Sequence, residues 1–71
     1  MEYYCDTKRH LICVPYSVDN LHEMAKYLNI GGHWYHGGKF PHYDIPMKRK
    51  NEIEDVANVI TTRELLEIIR G

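Results

Sequence analysis

The sequence has no apolar run approaching the roughly 18–20 residues that a membrane-spanning helix requires. Its opening segment, Met1 to Tyr4, also lacks the basic and then apolar layout of a signal peptide. We therefore expect a cytoplasmic protein. Neither sign of charge is in excess, because 9 Lys and Arg residues face 10 Asp and Glu residues and leave a formal net charge of -1. This balance disfavours binding of long nucleic acid through a global positive field.

Cysteine is scarce, and the common catalytic motifs are missing. Cys5 and Cys13 both lie in apolar segments outside any CxxC pair, so we expect buried thiols, with a single disulfide as the alternative. The sequence contains no GxGxxG, P-loop, GxSxG or HExxH pattern. Dinucleotide-binding, P-loop, serine-hydrolase and zincin chemistries therefore have no motif support.

The chain length, 71 residues and 8.4 kDa, predicts a single domain over residues 1–71. A core of this size supplies only about 3–5 kcal/mol of stability. Small domains commonly compensate with a metal, a disulfide, a ligand or a second copy of themselves. We expect a homo-oligomer.

Local patterns predict strands and helices in alternation. Two short apolar or aromatic segments, Glu2 to Cys5 and His10 to Val14, are typical of strands. A helix capped by Ser17 follows, and a glycine-rich loop from Gly31 to Pro41 leaves room for at most one short strand.

The C-terminal half predicts two further helices. One begins at Pro46 and runs through Val56, and the other follows a Thr61 to Glu64 capping box. Val59-Ile60 forms a short strand between them. The predicted fold class is α/β or α+β, a small single domain with a three- or four-stranded sheet covered by about three helices.

Histidine is abundant, and three of the five fall within ten positions, at His33, His36 and His42. A divalent metal held by His36, His42 and Asp44 is one interpretation, because imidazole and carboxylate groups bind zinc and harder ions. The alternative is that the imidazoles serve as hydrogen-bonding or surface groups, with no cofactor.

The segment His42-Tyr43-Asp44 is the sharpest local constellation. In an extended chain His42 and Asp44 project to one face and Tyr43 to the other. Asp44 could orient His42 as a general base or a ligand contact. It could equally fasten the loop onto the following helix.

Basic and aromatic residues complete the set of candidate ligand-binding residues. Cations at the start of a helix oppose the macrodipole unless an anion binds there, and aromatic rings beside cations can stack a nucleobase. The alternatives are an exposed basic turn and core or interface aromatics. The predicted ligand-binding residues are His10, Trp34, His36, His42, Tyr43, Asp44, Lys48, Arg49 and Arg63.

Several positions together resemble an uncharacterised bacterial and phage family, the domain of unknown function 4031. The shared pieces are Tyr4-Cys5-Asp6, His10, Leu21-His22, the HYDI motif from His42 to Ile45, and Thr61-Thr62-Arg63-Glu64. The segment Glu54 to Asn58 departs from the Gly-Ala pair usual there. The resemblance implies a phage-like accessory protein, located in the host cytoplasm if phage-encoded.

Three functions compete. The favoured one is a non-enzymatic protein that sequesters a small anionic, nucleotide-like ligand, including a host immune signalling nucleotide if the phage resemblance holds. The second is a metal-dependent phosphodiesterase or nuclease using His36, His42, Asp44 and Asp6. The third is a protein-interaction module that inhibits or adapts a larger enzyme.

Overall fold

In a computed structural model, which describes all residues, 1–71, the chain folds into a layered α+β structure. The strands and helices in chain order are β1 (Glu2–Cys5), β2 (His10–Val14), α1 (Val18–Leu28), β3 (Tyr35–His36), β4 (His42–Asp44), α2 (Lys50–Val56), β5 (Asn58–Val59) and α3 (Thr62–Arg70). The five strands form a mixed sheet in the order β3-β4-β2-β1-β5.

The sheet is built around the β1–β2 hairpin. The two strands pair antiparallel from Glu2 opposite Val14 to Cys5 opposite Leu11, and Arg9 takes a positive φ of 70° in the turn. Strand β4 adds antiparallel to β2, β3 adds antiparallel to β4, and β5 lies parallel to β1. The hairpin therefore holds the centre of the sheet, and the short strands extend both sides.

Helices cover both faces of the sheet. The Ser17 hydroxyl accepts a hydrogen bond from the Asn20 backbone, and Asn29 ends α1 in the left-handed conformation. The capping box of Thr61 and Glu64 is formed at the start of α3. A core of twelve buried residues lies between the layers: Cys5, Leu11, Ile12, Cys13, Leu21, Met24, Ala25, Ile30, Tyr43, Ile45, Ile53 and Leu65.

The predicted α+β class is confirmed, but the prediction of three or four strands is wrong because the sheet has five. Strands β3 and β5 contain two residues each and β4 contains three. Segments this short show too little alternation to be recognised locally. Only their hydrogen-bonded neighbours define them as strands.

The helix predicted from Pro46 begins later. Residues Met47–Arg49 form a 3₁₀ turn, and α2 starts only at Lys50. The predicted strand at Val59-Ile60 also shifts by one residue, to Asn58–Val59. These boundaries depend on where α2 and β5 pack, which the local pattern does not contain.

The prediction of buried thiols is confirmed. Cys5 and Cys13 are free and fully buried, and burial raises the pKa of the Cys5 thiol to about 11. None of the three α-helices has the length and apolar character of a membrane-spanning segment.

Candidate metal centre

Four polar side chains meet on one face of the sheet because of the strand register. His10 of β2 lies directly opposite Asp44 of β4, and His36 of β3 lies directly opposite His42 of β4. His42 and Asp44 are two residues apart on one strand and so share a face. The register thus places three histidines and one carboxylate next to one another.

A buried carboxylate fixes the orientation of His10. Asp6 is 1 % exposed, and its Oδ2 lies 2.8 Å from Nδ1 of His10 and accepts the Thr62 hydroxyl hydrogen at 2.7 Å. Its Oδ1 accepts the backbone N–H groups of Lys8 and His10, each at 3.0 Å.

Apart from the His10 ring, whose role depends on its tautomer, every partner of the Asp6 carboxylate is a donor. Burial acts to raise the pKa of Asp6, but the hydrogen bonds from Thr62 and His10 outweigh it and hold the pKa below its usual value. The ionised carboxylate therefore receives a hydrogen from Nδ1 of His10. In the neutral ring, Nε2 of His10 then carries the lone pair.

A backbone carbonyl orients His42 in the same way. Nδ1 of His42 lies 2.7 Å from the carbonyl oxygen of Phe40, and this oxygen can only accept. Nδ1 therefore carries the hydrogen, and Nε2 of the neutral ring presents a lone pair. That Nε2 atom lies 3.3 Å from Oδ1 of Asp44.

Acceptor atoms consequently converge on one point. Ligand atoms of His10, His42 and Asp44 all lie within 4.8 Å of one another. With both rings neutral, two imidazole lone pairs and a carboxylate face one another, and a positive charge between them, from a metal ion or from a proton on His42, stabilises this arrangement. Metal-ligating histidines are oriented by a carboxylate or backbone carbonyl on the other ring nitrogen, which is the arrangement of both rings here.

His36 lies beside this cluster. Its Nε2 is 2.7 Å from Oδ2 of Asp44, and its ring stacks on His42 with centroids 5.3 Å apart and planes 11° apart. The side chain is 56 % exposed. The metal set predicted from the sequence was His36, His42 and Asp44, whereas the structure gathers His10, His42 and Asp44 with His36 in contact.

The predicted aromatic contacts lie elsewhere. Tyr43 is buried on the opposite face, and its hydroxyl lies 2.7 Å from Nδ1 of His22 on α1. The expectation that it points away from His42 is confirmed. Trp34 is half-buried, and its ring lies 5.2 Å from that of His33.

The predicted basic residues are distributed over two segments. Arg49 donates to the carbonyl oxygen of Asn29 and forms an ion pair with Glu52, so its guanidinium is already engaged. Lys48 is exposed in the 3₁₀ turn, and Arg63 is exposed in the first turn of α3. Neither cavity of the protein is lined by Trp34 or by any of these three cations.

Asp6 was predicted as a ligand or acid/base group of the phosphodiesterase, whereas the structure places its carboxylate behind His10, in contact with Thr62, and outside the cluster of ligand atoms. The spacing of Asp6 and His10 around a hairpin turn is a usable signal, because the chain reverses between them. The Thr62 contact spans 56 residues of sequence and has no local signal.

Fold and site together define a small α+β domain that carries a histidine- and carboxylate-based candidate metal centre. The family model described as protein of unknown function (DUF4031) matches residues 6–71, and the chain belongs to this family. No curated protein and no solved structure matches it.

Proposed function

We propose that this protein is a metal-dependent phosphoesterase that binds one divalent first-row transition metal through His10, His42 and Asp44. The observation that carries the proposal is the convergence of these three ligands within 4.8 Å. Mixed nitrogen and oxygen donors suit zinc and its neighbours. Three protein ligands are typical of catalytic zinc sites, in which the fourth position holds water or substrate.

The surroundings of the cluster supply the remaining catalytic groups. A bound metal polarises a phosphoryl oxygen and lowers the pKa of bound water. His36 is exposed, and its Nε2 faces the second oxygen of Asp44 at 2.7 Å, so Nδ1 of the neutral ring is the atom that would accept a proton from the attacking water. The water oxygen forms a bond to phosphorus, the bond from phosphorus to the leaving oxygen breaks, and His36 returns the proton to that oxygen.

The start of α3 favours an anionic substrate. Thr62 is the first residue of the helix, and its hydroxyl bonds Asp6 beside His10. The positive end of the helix dipole therefore adjoins the site, and Arg63 adds a full positive charge at the next residue. A phosphate group fits both features.

The nucleotide-like ligand and the phage-like accessory role stay predictions, as do a homo-oligomeric state and a cytoplasmic location. The same centre could hold the phosphate of such a ligand without cleaving it. Sequestration and hydrolysis are therefore distinguished by turnover.

The test is hydrolysis of bis(p-nitrophenyl) phosphate and p-nitrophenyl phosphate by protein loaded in turn with zinc, manganese or magnesium. We expect metal-dependent release of nitrophenolate that is abolished by chelator and by His42→Ala or Asp44→Asn. His33→Ala is the matched control, because it removes an exposed histidine outside the cluster. Metal binding without turnover of either ester would contradict the enzymatic proposal and favour sequestration.

A further inference from the structure

A small apolar cavity opens beside the candidate metal ligands. Its volume is about 150 Å³, and the rings of His10 and His42 form one side. Helix α3 contributes Leu65, Leu66 and Ile69, while Phe40 and Thr62 complete the lining. A group in this cavity would therefore touch both of the candidate metal-ligating histidines.

The volume limits what the cavity can take. Pockets for drug-sized ligands start at about 300 Å³, twice this volume. An apolar cavity of about 150 Å³ lined by leucine, isoleucine and phenylalanine can hold one benzene molecule. The cavity thus matches a single unsubstituted ring or a group of similar size.

Two cations stand beside the same phenylalanine. The ammonium of Lys39 and the guanidinium of Arg70 each lie 5.7 Å from the centroid of the Phe40 ring. They place positive charge next to an otherwise apolar pocket. An apolar group carrying a nearby anionic group complements this arrangement.

We propose that the substrate is a phosphate ester of a small apolar group, of which a phenyl ring is the simplest example, and that this group occupies the cavity while the phosphate binds at the metal. The inference rests on the proposed phosphoesterase function and names its substrate class. A nucleotide fits less well, because its sugar hydroxyls would enter an apolar pocket without hydrogen-bond partners.

The test measures binding to the zinc-loaded full chain by titration calorimetry, using two phosphonates that resist hydrolysis and one nucleotide whose cleavage is monitored by the release of inorganic phosphate. Phenylphosphonate is compared with methylphosphonate, which offers the same anion without the ring, and with thymidine 5′-monophosphate. We expect phenylphosphonate to bind at least about tenfold more tightly than either, in line with the discrimination that apolar pockets achieve.

Two tryptophan variants on α3 form a matched pair. Leu66→Trp fills the cavity and should remove the preference for the phenyl ring while methylphosphonate affinity stays unchanged. Ile68→Trp lies on the other side of the helix, in the cavity with Tyr4 and Val14, and should keep the preference. Far-UV circular dichroism verifies folding, and Leu66→Phe, a milder change, serves if Leu66→Trp unfolds.

Two results would overturn the proposed substrate class without contradicting the phosphoesterase function. One is equal binding of the phenyl and methyl probes, and the other is a phenyl preference that persists after Leu66→Trp fills the cavity. Tighter binding of thymidine 5′-monophosphate would also overturn it, in favour of a nucleotide substrate. If zinc binds but no phosphonate does, the proposed function fails as well.

Discussion

Replacing Asp6 by asparagine should weaken metal binding while leaving the shape of the site almost unchanged. Oδ1 of Asp6 accepts two backbone N–H groups, from Lys8 and His10. The new side-chain oxygen must stay in that position, so the new NH₂ group faces the Thr62 hydroxyl and Nδ1 of His10. That NH₂ group can only donate, and His10 must turn its Nδ1 lone pair toward it. The ring hydrogen then moves to Nε2, the atom needed for the metal.

The expected size of the effect follows from the two hydrogen bonds that Oδ2 of Asp6 accepts. A hydrogen bond to a charged group contributes about 1.5–3 kcal/mol, compared with about 1 kcal/mol for a neutral pair. The 2.7 Å bond from Thr62 and the 2.8 Å bond from His10 both become neutral in the variant but can re-form with reversed donors. Each bond loses about 0.5–2 kcal/mol, so we expect a loss of about 1–4 kcal/mol in the free energy of unfolding. Loss of a partner that orients a metal ligand typically lowers metal affinity about 10–100-fold.

The assay combines urea unfolding of the metal-free protein with zinc titration against a competing chelator at neutral pH. Thr62→Val is the control, because it removes one hydrogen bond to Asp6 but leaves the His10 tautomer in place. We expect it to cost about 1.5–3 kcal/mol, because the lost bond is to a charged group, and to bind zinc almost as the unmodified chain does. Unchanged zinc affinity in Asp6→Asn would refute the role of Asp6 in orienting His10.

Three further predictions concern stability. The folded-state pKa of Asp6 is depressed, so its contribution to stability is fully present above the unfolded pKa of about 3.9 and is lost as the pH falls through the lower folded value. Urea unfolding measured at a series of decreasing pH values should therefore show a steeper loss of stability for the unmodified chain than for Asp6→Asn. Leu65→Ala opens a cavity under α3 and should cost about 2–5 kcal/mol in urea unfolding, and a cost below about 1 kcal/mol would contradict the buried packing. Thr61→Ala removes the hydroxyl that caps Glu64 N–H and should lower the thermal midpoint through a loss of about 0.5–2 kcal/mol, whereas Thr61→Ser should retain most of it.

Elements with their own local signals could be predicted from the sequence. Helix α1 has a serine cap and an apolar stripe, and α3 has a capping box, so the sequence locates both closely. Strand β5 has two residues, and a parallel partner 54 positions away at Tyr4 defines it. Short edge strands therefore cannot be predicted from local sequence, because they form only by pairing with strands that are distant in sequence.

The residues of the candidate site were likewise only partly predictable from local sequence. His42 and Asp44 could be placed on one face from their spacing alone, because the side-chain period of a strand is two. The position of His10 in the candidate site depends on the register between β2 and β4, which no local pattern encodes. Proximity in sequence consequently favours His36 as a metal ligand, whereas the structure places it against the carboxylate of Asp44.

The most direct measurement is an anomalous difference map from crystals grown with zinc or manganese. We predict one strong peak per chain, bonded to Nε2 of His10, Nε2 of His42 and a carboxylate oxygen of Asp44, with at least one position left to water. A peak held instead by His33 or His36, or no peak at a saturating metal concentration, would contradict the metal centre and the phosphoesterase proposed from it.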